Sequence, residues 1–182
     1  MANIIELIQQ KLNYSSVKKV DPNTQETIKE NDSLAQAAVP ATLVGFYELS
    51  RVKTGAAKIL SGNFSPDILT DVFGEKKTPV VEHVAQYANM TSEVAENEMQ
   101  KVAQATCEIV KSSAGNSEQA VMDYFTAERN NILKSLPAKL QIGQILGDNM
   151  LDDRTNKMEG PVSGMMHKIE QLFAGTPGKS EE

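Results

Sequence analysis

Ser33-Leu34-Ala35-Gln36-Ala37-Ala38-Val39-Pro40-Ala41-Thr42-Leu43-Val44-Gly45-Phe46-Tyr47-Glu48-Leu49 is apolar on nearly every side when wound into a helix. A helix with no polar face must be surrounded by other elements, so this stretch predicts a buried central helix over 33–49. Pro40 lies inside it and would cost about 3 kcal/mol in a straight helix interior, so a kink or a new start is expected there.

The flanking sequence supplies what could surround it. Residues 2–12 form an amphipathic opener through Ile4, Ile5, Ile8 and Leu12, and Asp21-Pro22 offers the start of a short polar helix. Ser65-Pro66-Asp67 places a capping hydroxyl, a proline at the first helical position and a carboxylate near the positive helix end. Ile68, Leu69, Val72 and Phe73 follow at helical spacing, and Gly74 is expected to close that helix in the left-handed conformation. Thr78-Pro79 opens the next helix in the same manner, with Val80, Val81, Val84 and Ala85 on one face. Gly160-Pro161 opens the last, where Val162, Met165, Met166, Ile169, Leu172 and Phe173 make one stripe ending at Gly175. Further helices are expected over 53–61, 92–113, 118–136, 138–147 and 149–158. No segment alternates with period two between turn signals, so strands are not required. The expected fold is all-α: a compact domain of about eight to ten short helices over 1–174, with a disordered tail over 175–182. A shift of 64 residues lays Ile4, Ile5 and Ile8 over Ile68, Leu69 and Val72, which suggests residues 1–113 as a duplicated unit and 116–174 as a helical extension.

The stretch from about Leu34 to Val110 resembles the YidB-like bacterial family of helical proteins of unknown function. The resemblance rests on Val39-Pro40-Ala41-Thr42-Leu43-Val44-Gly45, on Gly55-Ala56-Ala57-Lys58-Ile59-Leu60, on Ile68-Leu69-Thr70-Asp71-Val72-Phe73-Gly74 and on the helical pair covering 80–110. The family's glycine-rich connectors are replaced here by charged ones such as Glu75-Lys76-Lys77, and the segment from Gly115 onward has no counterpart. The resemblance implies an all-helical fold and supplies no catalytic residues.

Composition restricts the function classes. The 182 residues are 40% hydrophobic and 23% charged, a globular balance long enough for a real core. The net charge is −6. Residues 1–77 carry nine basic and nine acidic residues, and residues 78–182 carry nine and fifteen. An acidic half is a poor docking face for phosphate backbones. A single cysteine, Cys107, excludes an intramolecular disulfide. Met1 to Leu12 lack the basic start and unbroken apolar run of a signal peptide, and no stretch approaches a membrane span, so a cytoplasmic location is expected.

Val84-Ala85-Gln86-Tyr87-Ala88-Asn89-Met90-Thr91-Ser92-Glu93-Val94 follows the pattern of a helix-turn-helix-like pair, with Asn89 at the turn, a buried Met90 and Thr91 or Ser92 as cap. The second helix would show Glu93, Glu96, Asn97 and Glu98, and three carboxylates facing a duplex oppose DNA reading. Glu93, Glu96 and Asn97 are therefore candidate partner-binding residues for a protein rather than for nucleic acid.

The other reactive patterns fail on spacing. Gly178-Lys179-Ser180 lacks the glycine five positions earlier, where Phe173 stands, and has no helix after it. Asp152-Asp153 with Asp148 partly matches a magnesium-binding aspartate motif without the second acidic motif such sites use. His83 and His167 are isolated, and Cys107 reads as a small core residue. Gly160-Pro161-Val162-Ser163-Gly164 places its serine one position late for a nucleophile elbow. Met158, Met165 and Met166 suit core packing as well as an adaptable docking surface.

No catalytic residue, metal ligand or cofactor is expected. The leading expectation is a non-enzymatic helical module that binds a protein partner or a second copy of itself. The first alternative is a nucleic-acid-associated protein using Lys18, Lys19, Arg51, Lys53, Lys76 and Lys77, which requires those six on one face. The second is an enzyme or small-ligand carrier with a pocket between helices, which requires a deep cavity with converging polar groups.

Overall fold

The computed structural model describes residues 2–15, 17–20 and 30–148. All regular structure among them is helical. α1 is Ile4–Leu12, α2 Glu30–Ser50, α3 Lys53–Ser61, α4 Ile68–Phe73, α5 Lys77–Ala88, α6 Ser92–Ser113, α7 Glu118–Ser135 and α8 Ile142–Leu146. Two short 3-10 turns, Gly74–Lys76 and Ala138–Leu140, complete the path. The helices expected at 149–158 and after Gly160-Pro161, the short helix at Asp21-Pro22, the aspartate pair at 152–153, His167 and the tail all lie outside the described residues.

The apolar stretch at 33–49 becomes α2, and it is the axis of the molecule. Every residue from Ala35 to Phe46 is buried. α5, α6 and α7 pack around α2, α3 and α4 fill its remaining sides, and α1 lies across α6 and α7. Phe46 is fully buried between Phe64, edge-on at 5.9 Å, and Phe125, stacked at 6.3 Å. A pair of offset or edge-to-face rings adds about 0.5–1.5 kcal/mol to what burial alone contributes. One cluster of buried side chains runs from Ile4 through α2 to Ile142.

Pro40 does not start a new helix: α2 continues through it. The reason is its burial. Ending the helix there would orphan several peptide groups where no water can reach them, at about 1–3 kcal/mol each, which exceeds the roughly 3 kcal/mol of the proline once two or three are counted.

Two starts differ from expectation in a related way. The cap of α4 is Asp67, whose carboxylate accepts from Thr70 N–H, and Ser65 instead donates its hydroxyl to the Asp67 carbonyl. A carboxylate at the positive helix end outcompetes a neutral hydroxyl two residues earlier. α5 begins at Lys77, directly from the 3-10 turn, so Thr78 and Pro79 lie within its first turn. Proline is tolerated there because the first amides of a helix have no intrahelical acceptor. Gly74 has the expected positive φ of 57°, but its ψ of −131° takes it outside the left-handed helical region, into backbone that glycine alone enters freely. The helix expected at 138–147 splits at Gln141, whose φ is 49°.

Two contacts hold the remaining chain in place. A Cβ on Gly55 would stand 1.9 Å from the Leu49 carbonyl oxygen, so only glycine allows α3 to leave α2 this closely. Buried Gln36 accepts from Lys18 N–H at 2.8 Å and donates to the Lys18 and Ser135 carbonyls, both at 3.0 Å. Val20 N–H donates to the Lys134 carbonyl at 2.8 Å, so residues 17–20 are clipped across the seam between α2 and α7.

Candidate functional site

The corner between α5 and α6 is built by local rules. Asn89 takes the left-handed conformation, φ 54° and ψ 44°. Its N–H donates to the Gln86 carbonyl at 3.2 Å and the next N–H, of Met90, to the Ala85 carbonyl at 2.9 Å, the paired bonds of a Schellman ending. Thr91 then caps α6, its hydroxyl oxygen accepting from Val94 N–H at 3.3 Å. Three residues thus reverse the chain with its peptide groups satisfied, and Ala85 and Ala88 are buried beneath.

What this corner shows to solvent differs from the sequence expectation. Met90 is 38% exposed rather than buried, and Val94 is 42% exposed. The Schellman bond from Met90 N–H places that residue beyond the helix end, so its side chain leaves the core. Glu93, Val94 and Asn97 follow one another at helical spacing on α6, and Met90 stands just before its cap, all of them exposed. Glu96, its side chain 45% exposed, is engaged in an ion pair. Its carboxylate meets Lys77 Nζ at 2.5 Å, and Lys77 also binds Asp67 at 2.6 Å. Glu98 turns inward, its side chain only 15% exposed, and it accepts a hydrogen bond from the Tyr14 hydroxyl and pairs with Lys101 at 2.9 Å. Of the three candidate partner-binding residues, Glu93 and Asn97 remain outward, and Glu96 ties α6 to α4 and α5.

Two clefts open on the surface formed by the described residues. One of about 350 Å³ is lined by Thr70, Gly74, Lys77, Thr78, Glu82 and Glu96, and a second of about 320 Å³ by Glu6, Gln9, Gln10, Asn13 and Tyr14. Hydrogen bonds to Asp67 and Glu96 raise the pKa of Lys77, which keeps its amine protonated and unable to act as base or nucleophile. Cys107 is half-buried, and burial pushes its thiol up to about 11, so it stays a thiol near neutral pH. His83 donates Nδ1–H to the Leu140 carbonyl at 2.9 Å, which joins α5 to the 3-10 turn at Ala138–Leu140. Among the described residues no three His, Cys, Asp or Glu side chains converge as metal ligands would.

The six basic residues considered for nucleic acid do not share one neighbourhood. Lys18 is held at Gln36, fourteen residues along α2 from Ser50, which is about 21 Å of helix, and Arg51 directly follows Ser50. Arg51 pairs with Glu48 and Asp148, each at 3.0 Å, Lys76 donates to the Leu146 carbonyl at 2.5 Å, and Lys77 is bound as described. Arg51, Lys76 and Lys77 thus join neighbouring segments of the fold.

Sequence reasoning missed the Gln36 junction and the Tyr14–Glu98 pair. Gln36 did carry a signal, being the one amide in an otherwise apolar run. Tyr14 carried none, since its partner lies 84 residues away.

Comparison with protein-family models, with curated proteins and with solved structures gave no match to this chain.

Proposed function

We propose that the chain is a non-enzymatic helical interaction module, and that it binds a protein partner or a second copy of itself through the α5–α6 corner. The observation that carries this reading is the exposure of two apolar residues, Met90 and Val94, on either side of the α6 cap, with Glu93 and Asn97 exposed in the same short stretch. Single exposed apolar residues are ordinary on protein surfaces, but two within five residues of one turn, interspersed with polar ones, suit a small contact patch. In this reading α5, the turn at 89–91 and the start of α6 act as a helix-turn-helix-like pair used for protein contact. The acidic Glu93 at the patch favours a basic rim on the partner. No helix among the described residues is long and apolar enough to cross a membrane, and the proposal places the module in the cytoplasm. The likeness of residues 34–110 to the YidB-like bacterial family belongs to the same proposal.

Sedimentation velocity from micromolar to several hundred micromolar, with affinity capture from native lysate, tests it. The expected result is a larger species or a captured partner that Met90→Asp combined with Val94→Asp abolishes while the melting curve is unchanged. A monomer at every concentration, with no captured protein lost in the double variant, would overturn the proposal.

A further inference from the structure

Three of the four large apolar side chains exposed among the described residues belong to the end of the molecule where α2 begins. Met90 and Val94 stand on the α5–α6 corner, and Val20, 37% exposed, ends the clipped segment 17–20. Both segments are anchored to α2 within one turn. The Ser33 hydroxyl donates to the Ala88 carbonyl at 3.4 Å, and Gln36, three residues on, holds Lys18. Residues three apart on a helix are neighbours on one face, so the corner and the clipped segment border each other.

Charge is divided between the two. Beside Val20, the side chains of Lys18, Lys19 and Lys134 are exposed, and none of them meets a carboxylate among the described residues. The bond from Val20 N–H to the Lys134 carbonyl sets Lys134 next to the other two. On the corner Glu93 is exposed, and its neighbour Ser92 lines the 350 Å³ cleft together with Glu75, Glu82 and Glu96. The one cation of that cleft, Lys77, is already bound to Asp67 and Glu96, which leaves Glu75, Glu82 and Glu93 without a counter-charge among the described residues. A basic side and an acidic side next to each other, each with its own exposed apolar residues, make a self-complementary surface. A two-fold axis lays the basic side of one copy on the acidic side of the other and repeats the match across the axis.

We infer that the chain forms a two-fold dimer through this end, with Lys18, Lys19 and Lys134 of each copy against Glu82 and Glu93 of the other. The inference rests on the corner as a contact surface and names its partner as a second copy. A nucleic acid drawn to the three lysines would bring its phosphates against Glu93 as well, whereas a second copy presents both charges in the matching order.

Sedimentation velocity of the full chain should show a species of two copies and nothing larger, weakening as salt rises. Lys18→Glu with Lys19→Glu and Lys134→Glu should weaken dimerisation about tenfold, and Glu82→Lys with Glu93→Lys should do the same. All five side chains are exposed, so both variants should melt as the parent does. Mixed in equal amounts, the two variants should form a heterodimer about as tight as the parent dimer, because each reversed side then meets its opposite. A monomer at every concentration, reversed variants that dimerise like the parent, a mixture no tighter than either variant alone, assembly beyond two copies, or tight binding of an oligothymidylate through the three lysines would each overturn the inference. A different protein captured through Met90 and Val94 by a monomeric chain would overturn it too, while leaving the corner reading intact.

Discussion

α2 and α6 are nearly the same length, 21 and 22 residues, yet they treat solvent in opposite ways. α2 is buried without interruption from Ala35 to Phe46, and its one buried amide, Gln36, is fully bonded. α6 hides Ala95, Met99, Val102, Ala103, Thr106, Ile109 and Val110 on one stripe and leaves Glu93, Val94 and Asn97 on the other. The first helix can change only at the expense of stability. The second can change its outer stripe almost freely, which is the freedom a contact surface needs.

The sharpest way to break this contrast is Phe46→Ala. It removes a fully buried ring from between two others and should cost about 3–5 kcal/mol in urea denaturation. A loss no larger than that of an α6 surface change would dissolve the distinction. Gln36→Leu should follow at about 1–3 kcal/mol, because Lys18 N–H and the Ser135 carbonyl lose their buried partner. Faster hydrogen exchange at the Lys18 and Val20 amides is the accompanying sign, and unchanged exchange would show that residues 17–20 are held by other contacts.

The third effect is alkaline. Burial, then the hydrogen bond and charge of Glu98, raise the pKa of Tyr14. Burial and then Glu128 push Tyr124 up to about 12, and burial pushes Cys107 up to about 11. A raised folded value means that the neutral form is preferred in the fold, so this stability is present in full below the unfolded values of 10.0 for the tyrosines and 9.0 for the thiol. It declines as pH climbs from about 9 through 12. Melting temperature should hold from neutral pH to about 9 and fall beyond it, and Tyr14→Phe should reduce the fall; a flat profile to pH 11 would contradict these burials. The smallest effect belongs to α6: Val94→Ala and Asn97→Ala should each change stability by less than about 0.5 kcal/mol. A larger change would reveal a packing role for that stripe.

Much of the fold was legible because its signals are local. The apolar run at 33–49, the helices at 53–61 and 92–113, and the turn at Asn89 all follow from periodicity and backbone preference within a few residues. What escaped depends on distant partners. The pairing of Glu96 with Lys77 and the inward turn of Glu98 to Tyr14 depend on partners that no helical pattern in α6 discloses. Met90 was misjudged because one-dimensional spacing continues past the helix end, while the chain there already follows the geometry of the turn. Of the candidate face, Glu93 and Asn97 were therefore legible and their apolar neighbours were not.

The clip over residues 17–20 grips amides and carbonyls alone: the bonds go to Lys18 N–H, the Lys18 carbonyl and Val20 N–H. Every amino acid except proline offers those same groups. The route of this strap is thus insensitive to its spelling, and the side chains at 18 and 19, both exposed, are free to be rewritten without loosening the buckle.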